Sequence, residues 1–136
     1  MEIQKNVKSI AGKNAEALLC ALATWGNTTT IILHGGCVFE FKGDFPKGAI
    51  AEGFYNLAGT LPGFHGHIRL EAIFEIALQD KKHRGRQSYA FDFQDDKNKS
   101  IFKIFIGRNT SGELISEQVD AFKRIQNNVN IYTLEG

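Results

Sequence analysis

Ser88-Tyr89-Ala90-Phe91-Asp92-Phe93-Gln94, then a polar Asp95–Lys99 segment, then Ile101-Phe102-Lys103-Ile104-Phe105-Ile106, is the stretch that decides the fold class. Side chains two apart on an extended chain point to the same side, so Tyr89, Phe91 and Phe93 form one apolar face. The second run alternates as well, and the polar segment between the two reads as a hairpin loop. Two half-buried strands joined in this way start an antiparallel sheet.

Working upstream, the apolar run Ala72–Leu78 suits helix or strand, with the flanking strands favouring strand, and Asp80–Arg86 reads as a basic turn. His65–Leu70 and Phe54–Leu57 read as strands, separated by a Gly-rich loop at Ala58–Gly63 that contains Pro62. Gly43–Gly48 reads as a loop. In Cys37–Phe41 and beyond, Val38, Glu40 and Lys42 fall on one face and Cys37, Phe39 and Phe41 on the other. Thr28–Leu33 is a β-branched run, and His34-Gly35-Gly36 marks a turn or bulge. The sheet therefore spans about 27–106.

Outside it, the spacing predicts two helices. Ala11, Ala15, Leu18, Leu19, Leu22 and Trp25 give a helix over Ser9–Trp25, closed by Gly26-Asn27. Leu114, Ile115, Val119, Phe122 and Ile125 give a second over about 111–127, with an alternative start at Ser116. The whole is one α+β domain over 1–136, a long antiparallel sheet between N- and C-terminal helices.

The 136 residues are 43% hydrophobic and 23% charged, with a net charge of +1. No strong global field exists to draw in nucleic acid or an anionic membrane. Two cysteines exclude a disulfide scaffold and a four-cysteine zinc site. No apolar run reaches the roughly 18 residues of a membrane span, and Met1–Lys13 lacks the pattern of a secretory signal. The expectation is a cytoplasmic protein with reduced thiols and no membrane insertion.

No standard hydrolase, metalloprotease or phosphate-loop motif is present. His65-Gly66-His67 puts two imidazoles on one strand face beside the Gly-rich loop, a pattern that suits zinc, copper, nickel or haem iron, or else plain exposed polar residues. His34, beside Gly35-Gly36, has the same two readings. His83 lies in Lys81-Lys82-His83-Arg84-Gly85-Arg86, which is either a solvated turn or a clamp for a carboxylate or phosphate. Eleven phenylalanines are either core packing or the wall of a wide apolar pocket or subunit interface. Tyr55 and Asn56 read as structural, an aromatic that packs and an amide that satisfies turn carbonyls.

Several stretches, in order, resemble the HutX/ChuX-type intracellular haem-utilisation family. They are Trp25-Gly26-Asn27-Thr28-Thr29-Thr30, Phe39–Gly48, Gly53-Phe54-Tyr55-Asn56-Leu57-Ala58-Gly59, Gly63-Phe64-His65-Gly66-His67-Ile68, Phe102–Arg108 and Leu114–Phe122. The resemblance implies a curved antiparallel sheet with flanking helices, paired as a homodimer. It implies a cytosolic haem carrier or store whose partners include a haem importer or a haem-degrading enzyme. Carried over residue by residue, the family's Gly-His-Ile/Leu histidine is His67. A second family histidine falls on Leu33, with His34 one place later, so His67 and His34 are the candidate iron ligands. His65 and Tyr89 are alternatives, and Arg86 and Arg69 are candidates for the propionates. The chain departs from the family pattern at Leu33, Glu52 and Arg84. Two other functions fit less of the sequence: a haem-degrading or haem-reducing enzyme, for which no electron-donor or oxygen-site signal is present, and a diverged member that binds another apolar anion.

Overall fold

A computed structural model describes residues 8–59 and 62–130. Part of the expected Ala58–Gly63 loop, residues 60–61, lies outside the described residues. In chain order the elements are β1 (Ser9–Ala11), a 3₁₀ turn at Gly12–Asn14, α1 (Ala15–Leu22), β2 (Asn27–His34), β3 (Cys37–Asp44), β4 (Gly48–Ala51) and β5 (Phe54–Ala58). Then follow β6 (His65–Ile68), a second 3₁₀ turn at Leu70–Ala72, β7 (Glu75–His83), β8 (Arg86–Gln94), β9 (Ser100–Ile106) and α2 (Ser116–Asn127).

The architecture is α+β, with a large antiparallel sheet in the order β1-β7-β8-β9-β2-β3. The predicted β8–β9 pair is at its centre: Phe93 opposes Phe102 with stacked rings 4.3 Å apart, and Phe91 opposes Ile104. The chain did not place all its strands in that sheet, however. β4, β5 and β6 form a separate three-stranded antiparallel sheet, and β4 falls in a segment where the sequence signalled no strand.

Both sheets turn their apolar faces to one core. From the large sheet come Tyr89, Phe91, Phe93, Ile104 and Ile76; from the small sheet come Tyr55 and Leu57. Helix α2 lays Phe122 against the rings of Tyr89 at 5.1 Å and Phe91 at 5.0 Å. Helix α1 adds Leu18, Leu19 and Leu22, all fully buried. Phe64, just before β6, stacks on Phe41 of β3 and meets Phe45 edge-on, joining the two sheets. Each fully buried side chain of this size contributes about 2 kcal/mol. Most of the phenylalanines are thus core, and the packing reading of their abundance holds for them.

Three expectations are corrected. The N-terminal helix is shorter than Ser9–Trp25, because Ser9–Ala11 pairs instead with the edge of β7, Ile10 opposite Ile76. Gly12 makes this pairing feasible: its N–H reaches the Phe74 carbonyl at 2.8 Å, and a Cβ there would lie 2.0 Å from the Ile73 oxygen. The second helix begins at Ser116 rather than 111, since Asn109 Oδ1 captures the N–H groups of Ser111 and Glu113. A side chain that satisfies backbone donors in this way competes with helix. The basic segment Asp80–Arg86 is mostly strand. β7 and β8 continue to the pair His83–Arg86, leaving a two-residue turn, Arg84-Gly85, with φ of 54° and 80°. This is the left-handed turn that matches strand twist.

Gly35-Gly36 makes the same kind of turn, with φ of 58° and 84°. Pairing of β2 with β3 stays in register up to His34–Cys37, so no bulge intervenes. Leu33 and His34 therefore point to opposite faces of the sheet. Among the described residues, no helix is long and apolar enough to cross a membrane.

Candidate functional site

Two surfaces carry chemistry, one on the outward face of each sheet. On the small sheet, the period of two sends Tyr55 and Leu57 inward and Phe54, Asn56 and Ala58 outward. The register sets His67 opposite Asn56 and His65 opposite Ala58, so both histidines share the outward face as the sequence predicts, and both are exposed. His67 Nδ1 lies 2.6 Å from Asn56 Oδ1. The Phe54 ring meets the His67 ring nearly edge-on at 5.9 Å. The Arg69 guanidinium lies over the Phe54 ring, 4.7 Å from its centroid. An accessible imidazole, an aromatic ring and a guanidinium thus sit side by side.

Beneath this face the sheet is rigidly seated. Tyr55 is fully buried, with its hydroxyl 3.4 Å from Cys20 Sγ on α1. Burial, and then the Cys20 contact, drive its phenol far above the ordinary value, so it serves as a neutral anchor. The expectation that Tyr55 packs and Asn56 braces a turn holds: Asn56 Nδ2 donates to carbonyls of the β4–β5 hairpin. The exposed oxygen contact to His67 was not foreseen.

On the large sheet, the face turned away from the core forms a trough of about 970 Å³, within the usual range for a ligand site. Ile31, Leu33, Val38, Phe105 and Leu114 give it apolar lining. Lys42, Lys81, Arg86, Lys103 and Arg108 make the lining basic as well, and Glu40 is the single acid among the described residues that lines it. Two guanidiniums converge there. Arg86 Nη2 and Arg108 Nη1 donate to the same Gly112 carbonyl at 2.6 and 3.0 Å, and Arg108 Nη2 donates to the Gln87 carbonyl at 2.7 Å. Burial and then the Arg86 charge lower Arg108 below its ordinary value; a guanidinium remains charged regardless.

The predicted site residues divide between these places. His67, His65 and Arg69 belong to the small sheet, and Arg86 to the trough. His34 ends β2 on the face opposite Leu33, at the exposed hairpin, and does not line the trough. Tyr89 lies on the core face, with Phe122 against its ring and Lys123 Nζ 4.9 Å from the centroid. The structure does not bring His34 and Tyr89 to His67. Among the described residues, no three His, Cys, Asp or Glu side chains cluster as a bare metal ion would need. Sequence reasoning missed Asn56, Phe54 and Arg108 as site residues; His83 is exposed and lines the trough. Alternation from Tyr89 already placed Arg86 on the face opposite the core, the one available signal for the trough.

The model of the haem-utilisation ChuX/HutX family matches residues 8–125. The chain belongs to the ChuX/HutX family. It is 42% identical over 123 residues to HutX of Vibrio cholerae serotype O1, named as an intracellular heme transport protein. That match covers 90% of this chain and 64% of the relative, so the chain spans less than two thirds of that protein's length. The solved structure of the heme-binding protein ChuX is similar at a TM-score of 0.83 and 30% identity, covering 92% of this chain and 78% of that one. Holo-PhuS, a heme-binding protein from Pseudomonas aeruginosa, shares the fold at a TM-score of 0.72 and 14% identity, over 86% of this chain and 34% of PhuS.

The ChuX/HutX stretches that are far apart in sequence meet in space at Gln118. Its side chain, 3% exposed, accepts from the Gly107 N–H at 2.7 Å and donates to the carbonyls of Trp25 at 3.0 Å and Asn27 at 2.9 Å. Gly107 is required by close approach, since a Cβ would lie 2.0 Å from the Asn27 oxygen. Three of the family-like stretches are therefore joined by a structural knot, which borders the trough through Asn27 and Arg108.

Proposed function

We propose that this ChuX/HutX-family chain is an intracellular haem carrier that takes the iron through His67. The observation that carries the reading is the outward constellation of His67, Phe54 and Arg69 on one accessible face. A porphyrin brings four nitrogen ligands of its own, so its iron asks only one or two axial ligands of the protein. His67 is exposed, with one ring nitrogen engaged by Asn56 and Nε2 without a hydrogen bond among the described residues. Phe54 offers an apolar flank and Arg69 a cation for a propionate. A carrier must load and unload, and a ligand on an exposed sheet face suits reversible handover better than a buried one. The similarity to a protein named as an intracellular heme transport protein supports the same reading. A haem importer as donor and a haem-degrading enzyme as acceptor are the partners it implies.

The test is a haemin titration of the protein and of His67→Ala. A fall in affinity of about tenfold or more, with a moved Soret band, is expected. His65→Ala combined with His67→Ala removes any substitution by the neighbour. An unaltered spectrum and affinity in that double variant overturns the assignment of the iron to this face.

A second reading rests on the trough, whose mixed apolar and basic lining also fits a flat apolar dianion. In that case Arg86→Glu, which reverses a lining charge, weakens haemin binding and His67→Ala does not. We also propose that two copies pair along β3, an edge strand. Val38 and Phe39 on it are 57% and 53% exposed, and Leu33 on the neighbouring β2 is 47% exposed. Sedimentation of a compact 15.1 kDa species at micromolar concentration would exclude this pairing.

A further inference from the structure

We infer that Asn56 is the positioning residue of the haem site: it holds the His67 ring with its proton on Nδ1 and so presents an unprotonated Nε2 outward. The inference rests on the haem reading given above and adds to it a residue and a tautomer.

The backbone decides which end of Asn56 faces the imidazole. Nδ2 lies 3.0 Å from the Ala51 carbonyl oxygen, 3.2 Å from that of Phe54 and 3.4 Å from that of Ala49. All three are acceptors. They attract an amide nitrogen and would repel an amide oxygen, so the NH₂ group turns to the β4–β5 hairpin and Oδ1 turns to His67. That oxygen only accepts, so His67 Nδ1, at 2.6 Å, is the donor. A neutral imidazole carries a single N–H. With that proton on Nδ1, the lone pair is on Nε2.

Register makes the arrangement local and stiff. Asn56 opposes Ala49 in the β4–β5 pair and His67 in the β5–β6 pair. The amide is therefore clamped from one neighbouring strand and clamps the imidazole of the other. Histidines that bind metals generally donate their second nitrogen to a fixed acceptor, which selects the tautomer, fixes the ring plane and strengthens the ligating nitrogen. The same geometry separates two histidines that the sequence leaves equivalent. His65 points to the same face, but its cross-strand partner is Ala58, which has no side-chain acceptor.

The first experiment needs no variant and no haem. Long-range ¹H–¹⁵N correlation on the ¹⁵N-histidine-labelled protein at about pH 8, where imidazole is neutral, is expected to show His67 as the Nδ1–H tautomer. An Nε2–H pattern overturns the inference. The second experiment uses Asn56→Leu, with folding checked by thermal melting and the backbone amide spectrum. His67 should lose its tautomer preference, His65 should keep its signals, and haemin affinity should fall about tenfold. Haemin affinity equal to that of the parent protein overturns the inference. Should Asn56→Leu not fold, Asn56→Ser, which keeps a donor for the hairpin carbonyls and is too short to reach His67, is read in the same way. Failure of the haem reading itself is recognised separately, as unchanged haemin binding in His67→Ala, because the tautomer is measured without haem.

Discussion

Two side-chain amides in this molecule do the same work in different places. Gln118 ties the start of α2 to the end of β9 and to the α1–β2 connection, and every one of its partners is backbone. Asn56 ties together the β4–β5 hairpin with its nitrogen, but its oxygen holds the exposed ring of His67. Burial separates the two roles. An amide whose bonds all close on the backbone in the interior specifies a fold. An amide with one bond turned to an accessible titratable ring orients that ring for something outside the protein. Both positions belong to stretches that resemble the family, so likeness alone does not tell them apart.

The largest effect that would break this contrast is expected at Gln118. Gln118→Leu leaves the Gly107 N–H and the Trp25 and Asn27 carbonyls without their partner, at a cost of about 3 kcal/mol. Thermal melting should fall by roughly 10 °C, while haemin affinity of the folded fraction stays at the parent value. Haemin binding lost in step with stability would show that the knot and the site are not independent. Asn56→Leu should do the reverse. Its hairpin is at the surface, where water replaces the lost bonds, so the stability loss should be about 1 kcal/mol by chemical denaturation even as haemin affinity drops. A loss as large as that of Gln118→Leu would make Asn56 a fold residue first.

The smallest effect is expected at an ion pair that belongs to neither network. Lys123 Nζ lies 3.2 Å from Asp80 Oδ2, with the two side chains 46% and 30% exposed. Burial alone would raise the Asp80 carboxyl, but hydrogen bonds from Gln126 and Lys123 and the Lys123 charge hold it below its ordinary value. The hydrogen bond to Asp80 raises Lys123. A lowered carboxyl stabilises above its unfolded value, about 4, and that share is lost as pH falls through its folded value; a raised ammonium stabilises below its unfolded value, about 10.4, and that share is lost as pH rises through its folded value. Lys123→Met should cost about 0.5 kcal/mol near pH 7, where solvent screens the pair, and less once Asp80 is protonated, when only the contact with the Tyr89 ring is lost. Stability curves of the two proteins that stay parallel down to acid pH would contradict this.

The central hairpin was legible because its period of two survives every context: Tyr89, Phe91 and Phe93 are inward wherever that strand pairs. The same rule put His65 and His67 on one face. It failed to say which face of which sheet, since the split into two sheets depends on a β4 strand that Gly48–Ala51 hardly announces. It also failed at Asp80–Arg86, where a run of charges looked like a turn. Charged residues there are tolerated because this end of the strands is exposed on both faces: Lys81, His83 and Arg86 line the trough, and Asp80 on the other face accepts hydrogen bonds from Lys123 and Gln126 of α2.

By itself the sequence determined the α+β class, the inward faces of the central strands, the family and the exposed histidine pair. Those depend on local alternation and on ordered motifs, which need no partner to be read. Only the tertiary structure decided that Gln118 joins three distant segments, that Arg86 and Arg108 meet over one carbonyl, and that Asn56 addresses His67 while among the described residues nothing comparable addresses His65. Each is a contact across strand register or between chain segments, and register follows from how all the strands pack together, not from the residues of any one of them.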